Sequence, residues 1–306
     1  MSEHDSVVNP SGSLRAVLEH AWDASAFTTT EAMDGAALTR STTIEALDRL
    51  VDLGLLAELQ NAREAGQYRL GRPSRRFSFR PDAGAVIGVD AGQQRLTAAV
   101  ADLRGAVQMR RSVESVAGEN DPHSRRREIR DLVDSALDDA GLGHRDVLAV
   151  CVGVPAAVGP TGTSPAHRLG YWQAMNPSLQ DLFEEWAPLV RIENDASLAA
   201  VAEGRLGAAA GARDFVALLA GQRFGIGAVV DGKLLYGAHG AAGESIALRL
   251  ITGVESDAGL AALISQWARS DALAHRLSPG HPSAQLPLEE LTSQAVLDLA
   301  TSGDEW

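Results

Sequence analysis

At 306 residues the chain is long enough for two domains with substantial cores, and its 45% hydrophobic and 22% charged residues are ordinary for a globular protein. A net charge of −13 argues against indiscriminate attraction to nucleic acid, and a single cysteine, Cys151, excludes an internal disulfide and a multi-cysteine zinc site. The N-terminus lacks the apolar core of a signal peptide, and the most apolar stretch, residues 147–158, is too short for a membrane span, so we expect a cytoplasmic protein without a membrane partner.

Three short helices are predicted after a disordered tail at residues 1–12. Ser13 is the predicted N-cap of the first helix, and threonines at 28–30 precede the second, over residues 30–37. The third follows its predicted N-cap Thr39 and stops at Gly54, because glycine suits the left-handed position that ends many helices. Apolar residues at helical spacing define the buried faces of the first and third helices: Leu14, Val17, Leu18, Ala21, Trp22, Ile44, Leu47, Leu50 and Val51.

The open face of the third helix and the segment after it carry the predicted DNA contacts. The helix candidates are Thr39, Arg40, Ser41, Thr42, Glu45 and Arg49. Alternating apolar residues at 55–59 and 71–79 predict a two-stranded wing, and residues 63–80 hold six arginines against one acid. We expect Arg40 or Thr42 to contact bases and the wing candidates Arg72, Arg75 and Arg76 to contact phosphates, although any one of these could be an ordinary solvated side chain. Residues 13–80 are thus predicted to be a winged helix-turn-helix that binds a double-stranded DNA operator, with a linker at 81–84.

Strands and helices alternate from residue 85 to the end of the chain. The predicted strands are 86–90, 96–102, 147–154, 190–193, 215–220 and 228–235. The predicted helices are 125–140, 179–186, 196–206, 257–274 and 286–306. Such alternation is typical of an α/β domain rather than a helical bundle.

Several segments of this α/β region resemble one known family. These are the junction Gly71-Arg-Pro73 followed by Ile87-Gly-Val-Asp-Ala-Gly92, and the segments 193–203, 211–216 and 231–244. In order and spacing they resemble the ROK family of repressors, open reading frames and kinases. The resemblance implies an actin-like sugar-kinase (ASKHA) fold with two lobes around a cleft at residues 85–306, and a homodimer or tetramer. The chain stops before the later strands of the family's second lobe, so we expect that lobe to be incomplete or closed by a partner subunit.

The two phosphate loops of this resemblance are altered. Glycines let backbone approach phosphates closely, and the family's first turn resembles Asp-x-Gly-Gly-Thr. Here Asp90 and Gly92 remain, but Gln93 and Gln94 replace the second glycine and the threonine. The second loop begins with Gly221, Gln222 and Arg223, and Phe224 follows where the family has small residues. We therefore expect no useful ATP binding, no catalytic residue and no cofactor.

Three residues are candidates for sugar contact by the same resemblance. Asp195 lies where the family's kinases keep their base, and Glu244 matches a sugar-binding glutamate. Asn194 and Asp195 could instead only cap the helix that follows, and Glu244 could be a surface charge. The family's zinc-binding histidine and cysteines are missing after Glu244, so no metal is expected. Trp172 could stack on a sugar ring or simply be packed.

These features favour a regulator over an enzyme. We predict a sequence-specific repressor of carbohydrate genes with a catalytically inactive kinase-like domain that senses a sugar or sugar phosphate. A second version keeps that domain only for dimerisation. The alternative from another class is an ATP-dependent sugar kinase that carries a DNA-binding module.

Overall fold

Residues 12–60 and 74–79 of the computed structural model contain three helices packed against a small sheet. The structure describes residues 12–60, 74–117, 121–166, 170–252, 256–274, 276 and 280–301, except for the side chains of residues 245–247. The elements are α1 (Gly12–Asp23), β1 (Phe27–Thr28), α2 (Thr29–Ala36), α3 (Arg40–Asp52), β2 (Leu56–Leu59) and β3 (Arg76–Phe79). The sheet is antiparallel in the order β1-β3-β2. Most of the predicted tail lies outside the described residues, but Gly12 is already helical.

Local capping chemistry sets the starts of α2 and α3. Thr28 accepts a hydrogen bond from the Glu31 amide at 3.2 Å, and Glu31 accepts one from the Thr28 amide at 2.7 Å. Thr39 caps α3 as predicted. The buried face of α3 differs from the prediction, because Thr43 and Ala46 are buried while Ile44 is half-buried. Burial of Thr43 is tolerated since its hydroxyl donates to the Thr39 carbonyl at 2.8 Å.

The first lobe of the α/β region is built on a five-stranded sheet in the order β6-β5-β4-β7-β8. Its elements are β4 (Ala85–Ala91), β5 (Arg95–Asp102), β6 (Val107–Glu114), α4 (Pro122–Ala140), β7 (Val147–Val154), α5 (Tyr171–Met175) and β8 (Leu189–Asn194). The pairs β4–β7 and β7–β8 are parallel and the other two are antiparallel. Strand β6 was not predicted, because its residues are mostly exposed and do not alternate regularly between apolar and polar.

The predicted helix at 179–186 is wrong. The segment forms only a short 3-10 turn, Gln180–Leu182, with Phe183 buried after it. One turn is enough to bury Leu179, Leu182 and Phe183, whose spacing produced the helical signal, and Pro188 prevents a longer helix.

The second lobe contains α6 (Asp195–Leu206), β9 (Phe215–Ala220), β10 (Phe224–Val230), β11 (Lys233–Leu234), α7 (Leu260–Leu273) and α8 (Ser293–Thr301). Its three strands are antiparallel in the order β11-β10-β9. The predicted strand 228–235 is divided between β10 and β11, because Asp231 and Gly232 have φ of 53° and 73° and form the turn between them. The predicted tail helices are shorter than expected, and residues 302–306 lie outside the described residues. No helix in the described part of the chain has the length and apolarity needed to cross a membrane.

Candidate functional site

Helix α3 places most of the predicted base-reading residues at the surface. Arg40, Ser41, Glu45 and Arg49 are exposed, and Thr42 is half-buried. The hydroxyls of Ser41 and Thr42 lie 3.2 and 2.9 Å from that of the exposed N-cap Thr39. No acid of the described residues pairs with Arg40 or Arg49. Both guanidinium groups therefore face solvent without an ion-pair partner in that part of the chain.

The predicted wing arginines differ from one another in the structure. Arg75 joins α3 to β2, since its guanidinium contacts Asp48 at 2.6 Å and Glu58 at 2.8 Å. The hydrogen bonds to Glu58 raise the pKa of Arg75. This pairing holds α3 against the sheet. Arg76 pairs through its backbone with Thr28 and Leu59 in the centre of the sheet, and Arg72 lies outside the described residues.

A buried arginine holds the turn between β4 and β5, which the sequence analysis predicts as the first phosphate loop. The Arg125 side chain on α4 donates to the carbonyls of Ala91 and Gly92, the latter at 3.1 Å, and to the Met175 carbonyl at 3.1 Å. Arg125 is only 2% exposed, and burial lowers its pKa. A Cβ at Gly92 would lie 2.7 Å from the Arg95 carbonyl oxygen, so the turn requires glycine there.

The second phosphate loop, residues 221–225, is held by the segment that leads into α7. The amides of Gly259 and Ala261 donate to the carbonyls of Gln222 and Gly221 at 3.0 and 3.1 Å. A Cβ at Gly259 would lie 2.2 Å from the Gly221 carbonyl oxygen. The loop and the start of α7 thus touch backbone to backbone.

Tyr171 joins the two altered phosphate loops across the cleft. Its hydroxyl donates to the Gln93 side-chain oxygen at 3.2 Å, and the Arg223 guanidinium lies 4.2 Å from its ring centre. Arg223 also lies 3.6 Å from the Asp257 carboxylate. We call Gln93, Tyr171 and Arg223 the cleft bridge. The sequence analysis identified Gln93 and Arg223 as replacements but missed Tyr171, because no local pattern indicates a contact between residues so distant in sequence.

Three carboxylates, those of Asp90, Asp195 and Glu244, lie near one another in the cleft. Burial raises the pKa of Asp195 to about 6, and the charge of Asp90 adds to that rise. Burial and the Asp195 charge also raise the pKa of Glu244, and burial raises that of Asp90. Glu244 follows Gly243, whose φ is 90° and whose Cβ would lie 1.9 Å from the Ile226 carbonyl oxygen. The backbone there approaches β10 closely and places Glu244 beside the cleft.

Asn194 has a capping function in the structure. Its side-chain oxygen accepts from the Ser197 amide at 2.9 Å, and its nitrogen donates to the Ala156 carbonyl at 3.2 Å. Both polar atoms are thus engaged within the protein. Trp172 is half-buried against the core of the first lobe, while residues 167–169 lie outside the described ranges. Over the described residues, no three His, Cys, Asp or Glu side chains are grouped so that they could hold a metal ion.

The raised pKa of Asp195 leads to a prediction about pH and stability. The folded protein holds this proton more tightly than the unfolded chain, whose pKa is near 3.8, so stability should fall as pH rises from 3.8 through about 6. Asp195→Asn should therefore raise the free energy of unfolding by roughly 2–3 kcal/mol at pH 7.5 and change it little at pH 4. Denaturant titrations at the two pH values measure this. The exposed Asp131→Asn serves as a control that should show no such difference, and an equal effect of Asp195→Asn at both pH values would contradict the assignment.

The α/β region has two lobes around a cleft. The predicted phosphate-loop turn lies between β4 and β5, and Asp195 lies at the start of α6. These features define a sugar-kinase-like domain. Here that domain follows a separate module of helices and sheet. Residues 86–303 match the ROK family, and the chain belongs to that family.

Related proteins include both regulators and kinases. The chain is 27% identical over 209 residues to a xylose repressor of Caldicellulosiruptor bescii, covering 68% of this chain and 51% of that protein. It is 27% identical to a glucokinase of Streptomyces coelicolor, covering 62% of this chain and 58% of the glucokinase. The chain thus spans little more than half the length of these relatives.

Two solved structures show the same fold over different shares of the chain. A ROK family transcriptional regulator, described as a homologue of the E. coli MLC protein, covers 96% of this chain with 18% identity and a TM-score of 0.65; 74% of that regulator is covered. A ROK family glucokinase from Streptomyces griseus, solved with glucose and AMPPNP, covers 72% of this chain with 26% identity and a TM-score of 0.55; 72% of the glucokinase is covered. The regulator's fold therefore extends over more of this chain than the glucokinase's fold does.

Proposed function

We propose that this protein is a sequence-specific DNA-binding transcriptional regulator, a repressor of carbohydrate genes, whose kinase-like domain transfers no phosphate. The observation that carries the proposal is helix α3, which turns Arg40, Ser41 and Arg49 to solvent on a module outside the kinase-like domain. Under this proposal residues 13–80 are a winged helix-turn-helix, residues 81–84 a linker and residues 85–306 the kinase-like domain. α3 enters the major groove and contacts bases with Arg40 or Thr42, while Arg76 contacts phosphates beside it.

The fold comparison supports the regulator. The solved regulator structure matches the fold of 96% of this chain, so the match has to include residues of the N-terminal module. The solved glucokinase structure matches the fold of 72% of the chain. The xylose repressor, related to this chain at 27% identity, agrees with control of carbohydrate genes. A homodimer on a palindromic operator would present two copies of α3 to adjacent turns of DNA in the cytoplasm.

The cleft bridge supports the loss of phosphoryl transfer. Nucleotide phosphates need open backbone amides and space at both loops. Gln93 and Arg223 stand at those loops and meet on Tyr171, so the protein's own side chains occupy the approach to both. ATP would have to break these contacts before it could bind.

The carboxylates of Asp195 and Glu244 suit a sugar effector. Asp195 and Glu244 are partly desolvated, and the charge of Asp195 raises the pKa of Glu244. Such carboxylates can accept hydrogen bonds from sugar hydroxyls. Calorimetry with sugars and sugar phosphates tests this assignment. A chain that binds DNA but none of these ligands would favour the second version, in which the domain serves only for dimerisation.

The alternative function is an ATP-dependent sugar kinase with an added DNA-binding module. The related glucokinases and the position of Asp195 at the start of α6 favour it. This version requires the cleft bridge to open and both phosphate loops to accept ATP.

We expect the purified protein to transfer no phosphate from ATP to any sugar tested. Its rate in a coupled ADP-release assay with glucose, mannose, xylose and N-acetylmannosamine should equal that of a sample without sugar, because both phosphate loops are occupied by side chains. An active ROK glucokinase run in parallel verifies the assay. Sugar-dependent ADP release that disappears in Asp195→Asn would establish the kinase instead.

Selection of genomic fragments with the purified protein tests DNA recognition. Incubation at moderate salt, capture and sequencing should yield one discrete palindromic motif, because specific contacts survive salt that removes nonspecific binding. Enrichment of no motif would overturn the regulator proposal.

A further inference from the structure

The turn between β5 and β6 reaches from the first lobe into the N-terminal module. The Leu103 amide donates to the Pro81 carbonyl at 3.0 Å, and the Leu103 side chain packs on the core of the module. The Asp102 carboxylate accepts from the amides of Arg104 and Ala106, each at 2.9 Å, so the turn is held in one conformation. Its contact with the module is therefore made by a rigid element and not by a loose loop.

Arg104 in this turn packs against two neighbouring aromatic rings of the module. Its guanidinium is 5.4 Å from the ring centre of Trp22 in α1 and 5.2 Å from that of Phe79 in β3. The two rings are themselves 5.3 Å apart. A cation over two aromatic faces is attracted by both, and a planar guanidinium suits such faces better than an ammonium. No acid within the described ranges forms an ion pair with Arg104, so the rings are its principal partners there.

Strand β5, which runs into this turn, also leads to the cleft. Strands β4 and β5 pair without interruption from Ala85 opposite Asp102 to Ala91 opposite Leu96. At the far end of this hairpin lies the turn that holds Gln93 of the cleft bridge. One rigid ribbon therefore has the cleft at one end and the N-terminal module at the other.

We propose that Arg104 is a positioning residue that fixes the orientation of the N-terminal module on the first lobe. This inference rests on the proposed function for its effect on DNA, since the two α3 helices of a dimer must keep a set spacing to fit both half-sites. Without Arg104 the turn loses its contact with the rings of Trp22 and Phe79, and each module can reorient. Binding to a full palindrome then loses the advantage of preorganisation, while binding of one α3 to one half-site does not.

Hydrogen exchange measures the coupling without DNA. In Arg104→Ala, amides of α1 and β3 should exchange about tenfold faster than in the wild type, while β7 and α4 keep their protection. Arg104→Lys should restore part of the protection, and the exposed Arg145→Ala should change nothing. Unchanged exchange in α1 and β3, or faster exchange throughout the first lobe, would overturn the proposal.

DNA titration provides the functional readout. Arg104→Ala should bind a full palindromic duplex about tenfold more weakly than the wild type and bind a single half-site equally well. Equal losses on both duplexes would overturn the positioning role. A wild type that binds neither duplex would refute the regulator proposal, whereas the exchange experiment would still decide whether Arg104 holds the module.

Discussion

Replacing Arg40 and Thr42 together with alanine should reduce affinity for the selected operator by at least about a hundredfold, because each good side-chain contact to a base edge contributes about 1–3 kcal/mol of discrimination. Both residues lie in the first turn of α3, the part of a recognition helix that enters the major groove most deeply. Arg40 is exposed and has no ion-pair partner among the described residues, so its loss should not disturb the fold. Titration of a labelled operator at fixed salt measures the change.

The matched control is Arg15→Ala. It removes the same charge from the same module, but from α1, where Arg15 pairs with Glu19. Its effect on affinity should be less than about threefold, as expected of distant charge alone. Since Thr42 is half-buried and contacts Thr39, a thermal scan of the double variant should show that the module remains folded. A folded double variant that still binds the operator at wild-type affinity would mean that α3 does not read the DNA.

Arg125→Ala should lower the free energy of unfolding by about 3–5 kcal/mol, the largest stability effect that we expect from one substitution in this chain. The change removes the donors to the carbonyls of Ala91, Gly92 and Met175, two of which lie in the first phosphate-loop turn. It also leaves a cavity where a large buried side chain stood. Guanidinium unfolding followed by circular dichroism measures the loss.

The control for Arg125 is Arg130→Ala, on the same helix but exposed, which should change stability by less than about 0.5 kcal/mol. Should Arg125→Ala fail to fold, Arg125→Lys still tests the argument. A lysine keeps the charge but cannot present the guanidinium fork to carbonyls from two segments, so an intermediate loss is expected. Wild-type stability in both variants would mean that water or other groups satisfy these carbonyls.

Under the proposed function, the cleft bridge replaces nucleotide binding by contacts within the protein. The backbone of both phosphate loops keeps the glycines that the packing needs, such as Gly92, while side chains at Gln93 and Arg223 occupy the approach. Arg125 holds the turn between β4 and β5 in place by donating to the carbonyls of Ala91 and Gly92.

Features that depend on a few neighbouring residues were predictable from the sequence. Thr39 caps α3 as expected, because an N-cap needs only its own hydroxyl and an amide three residues later. The bounds of β7, Val147–Val154, agree with the prediction, because a buried parallel strand is apolar along its whole length. Membership of the ROK family also followed from short segments in fixed order, and residues 86–303 match it.

Only the tertiary structure decided the contacts that carry the functional argument. Gln93, Tyr171 and Arg223 meet although each lies in a different segment of the chain. Arg75 forms ion pairs with Asp48 and Glu58, although the arginines near it in the sequence suggested a phosphate contact. Arg104 gave no sequence signal at all, since an arginine in a surface turn is ordinary until two aromatic rings are placed beside it. The physical reason is common to all three cases. Periodicity and capping arise from short-range backbone geometry, whereas the partner of a long polar side chain depends on which distant segments the packing brings within a few ångströms.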